Sequence, residues 1–209
     1  DANAVARKKW GPVAGGIAGP LLGLGLTLIS RRARPSAEIE VHPVAEFSGE
    51  YDELWMRARA SFATCVRRDA RYLRWKYLAC PFRAYRVLEA RKAGALTGYA
   101  VLRDEGDQSF RRGVIADLFC DTADPATQDA LLAAAIADFS TKGLVRIEVY
   151  CFHARLAAAL KRHGFRPGTT GVRYCVAYRG TPDGSGGPKK VLADLANWNL
   201  FIGDGDLDR

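Results

Sequence analysis

The stretch Val114–Tyr178 constrains the fold of this chain more than any other part of it. It begins with Val114–Cys120, an apolar run that is typical of a strand buried on both faces. Leu144–Cys151 alternates apolar with polar residues, as a strand with unlike faces does. Ala126–Phe139 lies between them, is rich in alanine and leucine and holds no glycine, so we predict a helix there. This order predicts two adjacent parallel strands joined by one right-handed helical crossover.

Capping residues indicate where the helices of this stretch begin and end. Asp124 followed by Pro125 is a favourable helix start, because the carboxylate can cap and the missing proline N–H does no harm there. Gly143 marks the end of that helix. A second helix is predicted over His153–His163, and Val172–Tyr178 is predicted to be the last strand.

The residues before Val114 predict the antiparallel half of the same sheet. Their patterns indicate an edge strand at Ile39–Val44, an amphipathic helix over Glu50–Phe62 and a second helix over Ala70–Leu78 with Asp69 as its cap. The strands Tyr85–Ala90 and Leu96–Leu102 are predicted to form a hairpin. The fold class that we predict is therefore α/β, with a central mixed β-sheet flanked by helices.

The first 36 residues have a different character. Gly11–Ser30 carries no charge, is long enough to span a bilayer, and lies between Arg7-Lys-Lys9 and Arg31-Arg32. Its glycines recur every four residues and would give one smooth helix face. A membrane anchor and a buried linker helix both fit this segment. We expect three regions: residues 1–36, a folded domain over 37–180, and a flexible linker with a docked tail over 181–209.

Charge and cysteine content narrow the class of protein. The net charge of +8 is compatible with anionic partners, but a soluble protein from an Arg-rich proteome is the explanation that we prefer. The five cysteines are scattered and form no CxxC pair, which indicates a reducing compartment and no metal site. We expect a cytoplasmic location, at the membrane if Gly11–Ser30 is an anchor, and no nucleic-acid partner.

The element order resembles the GNAT acetyltransferase superfamily, and two short motifs add to the likeness. These are Tyr72-Leu-Arg-Trp-Lys-Tyr77 with the following Pro81 and Gly98, and Leu160-Lys-Arg-His-Gly-Phe165. The likeness covers about Ile39–Arg179. It implies a GNAT-like fold, acetyl-CoA or another acyl-CoA as donor, and a small-molecule acceptor such as an amine or amino sugar. Some members look like two such folds in one chain, which implies a missing N-terminal GNAT-like lobe.

Two departures from the family pattern affect the cofactor. The family carries R/Q-x-x-G-x-G/A before the helix that receives the coenzyme A diphosphate, whereas no glycine occurs here from Asp117 to Thr141. The family tyrosine that assists the thiol corresponds to Leu160, which has no proton to give. We therefore expect this lobe to shape the acceptor site and to bind coenzyme A weakly or not at all.

Three side chains are candidate catalytic groups: Asp117 and Glu148 as bases on neighbouring strands, and His153 as a neutral imidazole at a helix start. Solvated or ion-paired carboxylates and a capping or surface histidine are the alternatives. A basic run is the candidate site for an anion or acceptor, at Arg67, Arg68, Arg71, Arg74 and Lys76. It could equally be a solvated helix face, or the binding face of a non-catalytic, membrane-tethered module.

Overall fold

A five-stranded mixed sheet lies at the centre of the computed structural model, which describes residues 36–106, 110–151, 153–168 and 198–205. The elements in chain order are β1 (Ile39–Val44), α1 (Glu50–Ala58), β2 (Thr64–Cys65), α2 (Ala70–Leu73), β3 (Arg86–Lys92), β4 (Ala95–Glu105), β5 (Arg112–Cys120), α3 (Pro125–Thr141), β6 (Arg146–Val149), α4 (Ala154–Arg162) and β7 (Trp198–Asn199). The sheet order is β1-β3-β4-β5-β6, and β2 pairs with β7 in a separate two-stranded sheet. The predicted fold class is confirmed.

The antiparallel half of the sheet follows the sequence pattern closely. β1 lies at the edge beside β3, where the missing N–H of Pro43 is tolerated. β3 and β4 form the predicted hairpin, whose two-residue turn is Ala93-Gly94. Both turn residues have positive φ angles, 48° and 81°, as a type I′ turn requires. The strands run longer than predicted, so the turn is tighter.

The parallel pair that the crossover predicts is also present. β5 and β6 are parallel neighbours joined through α3. Their pairing covers only four residue pairs, from Arg112 with Arg146 to Ile115 with Val149. β5 continues to Cys120, whereas β6 ends at Val149 and is shorter than the predicted Leu144–Cys151. The carboxyl half of β5 is therefore left without a β6 partner.

Helix starts agree with the capping residues. The carboxylate of Asp124 accepts a hydrogen bond from the Thr127 N–H at 3.1 Å, and that of Asp69 accepts one from the Tyr72 N–H at 2.8 Å. The segment predicted as one helix, Ala70–Leu78, is instead one α-helical turn followed by a π-helical turn at Arg74–Leu78. α1 likewise ends in a 3₁₀ turn at Arg59–Ser61.

Two hydrophobic clusters fill the space on either side of the sheet. One contains Leu131 and Phe139 of α3 with Leu156 of α4. The other contains Leu54 of α1 and Leu73 of α2. Each helix pair thus buries its apolar face against the sheet.

Several predictions fall on residues outside the described part: Gly11–Ser30, the last strand Val172–Tyr178 and the linker after Thr181. The division into three regions therefore stays a prediction. None of the described helices is long and apolar enough to cross a membrane.

Candidate functional site

The gap beyond the last β5–β6 pair is filled by the segment 198–205. β7 of this segment pairs in parallel with β2, and Phe201 forms an antiparallel bridge with Cys151. Phe201 is fully buried in the cluster that α3 and α4 share. At Gly203 an added Cβ would lie 2.5 Å from Tyr77 Oη and 2.7 Å from the Ala116 carbonyl oxygen. The segment therefore packs directly against the unpaired half of β5.

A buried charge cluster ties this segment to the sheet. The Arg68 side chain lies between two carboxylates and is 0% exposed. Its Nε donates to both Asp117 oxygens at 3.2 and 3.1 Å, and its Nη2 donates to Asp204 Oδ2 at 2.6 Å. Tyr99 Oη donates to Asp117 at 3.0 Å, and the Phe201 N–H donates to Asp204 at 2.9 Å. One guanidinium thus serves two buried carboxylates.

The cluster raises the pKa values of both Asp117 and Arg68. Burial, and then the second carboxylate Asp204, raise the pKa of Asp117 to about 6 against the opposing charge of Arg68. Burial opposes the charge of Arg68, but attraction to the two carboxylates outweighs it and raises its pKa. Both shifts follow from a cluster with one positive and two negative groups.

The three candidate catalytic groups do not come together. Asp117 is fully buried in the charge cluster. Glu148 lies opposite Val114 on β6, where its carboxylate pairs with Arg146 at 2.8 Å and accepts from Tyr150 Oη at 2.8 Å. His153 caps α4 by position, with its ring centroid 5.4 Å from that of Phe62.

His153 differs from the two carboxylates in its electrostatics. Burial, and then the charge of Arg155, lower its pKa, so the imidazole is neutral near pH 7. Its Nδ1 is buried and has no hydrogen-bond partner within the described residues.

The start of α3, where the resemblance would place the coenzyme A diphosphate, is occupied by acidic side chains. The two oxygens of Asp124 accept from the N–H and the hydroxyl of Thr127, at 3.1 and 2.6 Å. Asp121 accepts from the Ala123 N–H at 2.8 Å and from Ser61 Oγ at 2.7 Å. Because negative charge and satisfied N–H groups replace free donors, these residues do not fit a diphosphate.

The position of the family tyrosine gives the same result. Leu160 is buried and packs in the cluster that α3 and α4 share. A leucine there contributes to the core and offers neither a proton nor a hydrogen bond to a thiol.

The basic run divides into a buried and an exposed part. Arg68 is held in the charge cluster, and Arg67 pairs with Asp69. Arg67, Arg71 and Arg74 line an open cleft of about 560 Å³ between α1 and α2, whereas Lys76 does not line it.

Sequence patterns had not singled out the α1 side of this cleft. That side consists of Asp52, Trp55, Met56 and Arg59, whose i, i+3, i+4 and i+7 spacing is the signal that could have found it. No group of side chains suited to a metal ion occurs among the described residues.

Comparison with known proteins returns structural likeness alone. No protein-family model matches the chain, and no curated protein matches it. Similar solved structures include acetyltransferases. An aminoglycoside acetyltransferase from an uncultured soil metagenomic sample, solved with trehalose, is 15% identical over 68% of this chain and 99% of its own, with a TM-score of 0.49. A ribosomal-protein-alanine N-acetyltransferase from Brucella melitensis biovar Abortus 2308 is 14% identical over 67% and 99%, with a TM-score of 0.49.

Proposed function

We propose that this chain is a lobe of an acyl-CoA-dependent N-acyltransferase, and that it shapes the acceptor site while another lobe upstream holds coenzyme A. The observation that carries the proposal is the segment 198–205 between the ends of β5 and β6. Phe201 and Gly203 occupy the unpaired side of β5, so an extended ligand finds no strand edge to pair with there.

The acidic start of α3 also supports the proposal that another lobe binds coenzyme A. Phosphate binding at a helix N-terminus depends on free N–H groups and on a positive local field. In this lobe, the carboxylates of Asp121 and Asp124 occupy backbone N–H groups and add negative charge at the helix start. The donor, acetyl-CoA or another acyl-CoA, would then be held by an N-terminal GNAT-like lobe.

Titration calorimetry of the 209-residue chain with acetyl-CoA tests the cofactor part of the proposal. We expect no heat of binding at micromolar concentrations. A dissociation constant in the micromolar range would contradict the proposal. In that case Asp117, Glu148 and His153 are the residues to mutate first, and His153 comes foremost because its imidazole is neutral and one ring nitrogen lacks a partner in the described structure.

A longer natural protein that includes the upstream sequence tests the enzymatic part. With acetyl-CoA and an amine acceptor, we expect it to release free coenzyme A, which a thiol reagent detects. The same assay on the 209-residue chain should give no signal above the rate without protein. Turnover by the isolated chain, or none by the longer protein with any amine or amino-sugar acceptor, would contradict this assignment.

The second candidate function is a non-catalytic, membrane-tethered binding module that uses its basic face. The observation in its favour is the exposed arginine group of the α1–α2 cleft, together with the basic flanks of Gly11–Ser30. Sedimentation with anionic vesicles, but not with neutral ones, would support this candidate over the acyltransferase lobe.

A further inference from the structure

The cleft between α1 and α2 has two unlike sets of side chains on facing walls. α1 and the turn after it contribute Trp55, Met56 and Arg59. α2 and the π-helical turn contribute Arg71 and Arg74. An adjoining hollow of about 430 Å³ shares Arg71 with the cleft and adds Tyr72 and Trp75. Cationic groups thus lie beside aromatic rings over a continuous surface.

We infer that this cleft binds a nucleoside-diphosphate sugar, with the diphosphate on the arginines and a ring on Trp75. The inference rests on the proposed function, because it makes the cleft the acceptor site of the acyltransferase. The sugar would carry the amine that receives the acyl group. The binding step itself does not require acyl-CoA.

The charges of the cleft favour a dianionic ligand. Its lining holds four arginines, Arg59, Arg67, Arg71 and Arg74, against two aspartates, which leaves a net charge of +2. Both aspartates accept hydrogen bonds from backbone N–H groups, Asp52 from that of Ala70 at 2.9 Å and Asp69 from that of Tyr72 at 2.8 Å.

The arginines are available to a ligand. Within the described residues no carboxylate pairs with Arg59, Arg71 or Arg74, and Arg74 donates only to the Ala70 carbonyl oxygen, at 3.2 Å. Most of the other described arginines are paired with carboxylates, as Arg86 is with Asp104 and Asp138. Planar guanidinium groups bind phosphate oxygens in pairs, so an uncompensated group of them suits a diphosphate.

Trp75 provides the apolar part of the site. It is 65% exposed, although indole is among the most favourable side chains to bury. Its ring lies 5.7 Å from that of Tyr72, which holds it beside the adjoining hollow. An exposed indole next to arginines is a surface on which a base or the C–H face of a sugar can stack.

The backbone brings Arg71, Arg74 and Trp75 close together. Arg71 lies three residues before Arg74 and four before Trp75, so all three project from neighbouring turns of one helical segment. The segment changes to a π-helical turn at Arg74, a departure that is common at functional sites.

Calorimetry with uridine diphosphate, inorganic pyrophosphate, glucosamine and coenzyme A tests the inference on the full chain. We expect uridine diphosphate to bind, pyrophosphate to bind about tenfold more weakly, and glucosamine, which carries no phosphate, not to bind. Arg71→Ala should weaken binding of uridine diphosphate at least tenfold, as the loss of a charge-assisted contact does. Trp75→Ala should weaken it about tenfold and leave pyrophosphate binding unchanged.

Two exposed residues outside the cleft give matched controls. Arg162→Ala removes a surface guanidinium from α4, and Phe82→Ala removes a ring that is 78% exposed. Both variants should bind uridine diphosphate as the unmodified chain does. Circular dichroism and thermal unfolding of all four variants would separate lost binding from lost folding.

Several outcomes would overturn the inference. Absence of uridine diphosphate binding, or equal losses in the cleft variants and the controls, would remove the site. Pyrophosphate binding as tight as that of uridine diphosphate would remove the nucleotide assignment. Vesicle binding that Arg71→Ala abolishes, without any nucleotide binding, would identify a lipid surface as the partner. Coenzyme A binding that Arg71→Ala abolishes would make this cleft a cofactor site and overturn both the inference and the proposed function. Coenzyme A binding that Arg71→Ala leaves unchanged would contradict the proposed function alone, whereas failure of uridine diphosphate alone would leave that function standing.

Discussion

Replacing Arg68 by methionine should destabilise the folded chain more than any substitution at its surface. Methionine fills much of the same volume but leaves the carboxylates of Asp117 and Asp204 in the interior without their shared cation. Removing one partner of a buried ion pair typically costs about 3–5 kcal/mol. Total stabilities of folded domains are roughly 5–15 kcal/mol, so the variant should be close to unfolding at neutral pH.

The structure also predicts how this loss depends on pH. The pKa of Asp117 is already about 6 in the folded chain, and loss of the guanidinium should raise it further. Protonation of the carboxyl removes the uncompensated charge. The variant should therefore recover part of its stability as the pH is lowered from 7.5 to 5, relative to the unmodified chain.

Urea unfolding followed by circular dichroism at pH 7.5 and pH 5 measures both effects. Asp204→Asn is the informative partner variant, because Arg68 keeps Asp117 and the loss should be about 1–3 kcal/mol. Arg162→Met, which breaks an ion pair whose arginine side chain is 48% exposed, should change the free energy of unfolding by less than about 1 kcal/mol. A loss below 1 kcal/mol for Arg68→Met, or an equal loss at both pH values, would refute the reasoning.

Three further predictions concern single residues. Gly203→Ala should lower the free energy of unfolding by about 1–3 kcal/mol, because its Cβ would meet the Ala116 carbonyl oxygen, whereas Gly49→Ala, with open space around it, should be neutral in the same urea titration. Because the pKa of Asp117 is raised to about 6 in the folded chain, its carboxyl stabilises the folded state most below about pH 4, and this stabilisation, about 3 kcal/mol at most, is lost as the pH rises to about 6. The free energy of unfolding of the unmodified chain, relative to that of Asp117→Asn, should therefore fall between these pH values. A difference that stays constant would contradict the assignment. Asp124→Ala should cost about 0.5–2 kcal/mol in thermal or urea unfolding, since Thr127 loses the acceptor for both its N–H and its hydroxyl.

The elements that depend on local signals could be predicted from the sequence. Asp69 and Asp124 cap helices as expected, and Gly94 lies in the turn of the expected hairpin. These features depend on residues only a few positions apart, and their patterns are therefore visible in a short stretch. The parallel β5–β6 pair followed from the strand–helix–strand order alone.

The features that the sequence patterns did not predict depend on contacts between residues far apart in the chain. Arg68 lies in a basic run and carries no sign that it is buried, because its partners Asp117 and Asp204 are 49 and 136 residues away. β6 is short because Cys151, the last residue of the predicted strand, bridges to Phe201 instead. Neither fact follows from periodicity, which reports only on neighbours along the chain.

The same docked segment that fills the gap beside β5 also pairs with a strand that contributes to the cleft. β7 pairs with Thr64 and Cys65 of β2, and Cys65 lines the cleft. Arg68 pairs with Asp204 while its Nη1 donates to the Val66 carbonyl oxygen at 2.8 Å. The buried charge cluster therefore holds the backbone before Arg71 in place. A chain in which the gap beside β5 was open would lack these supports. The filled gap and the arginine cleft therefore share the same supports, and the lobe that we propose would have both together.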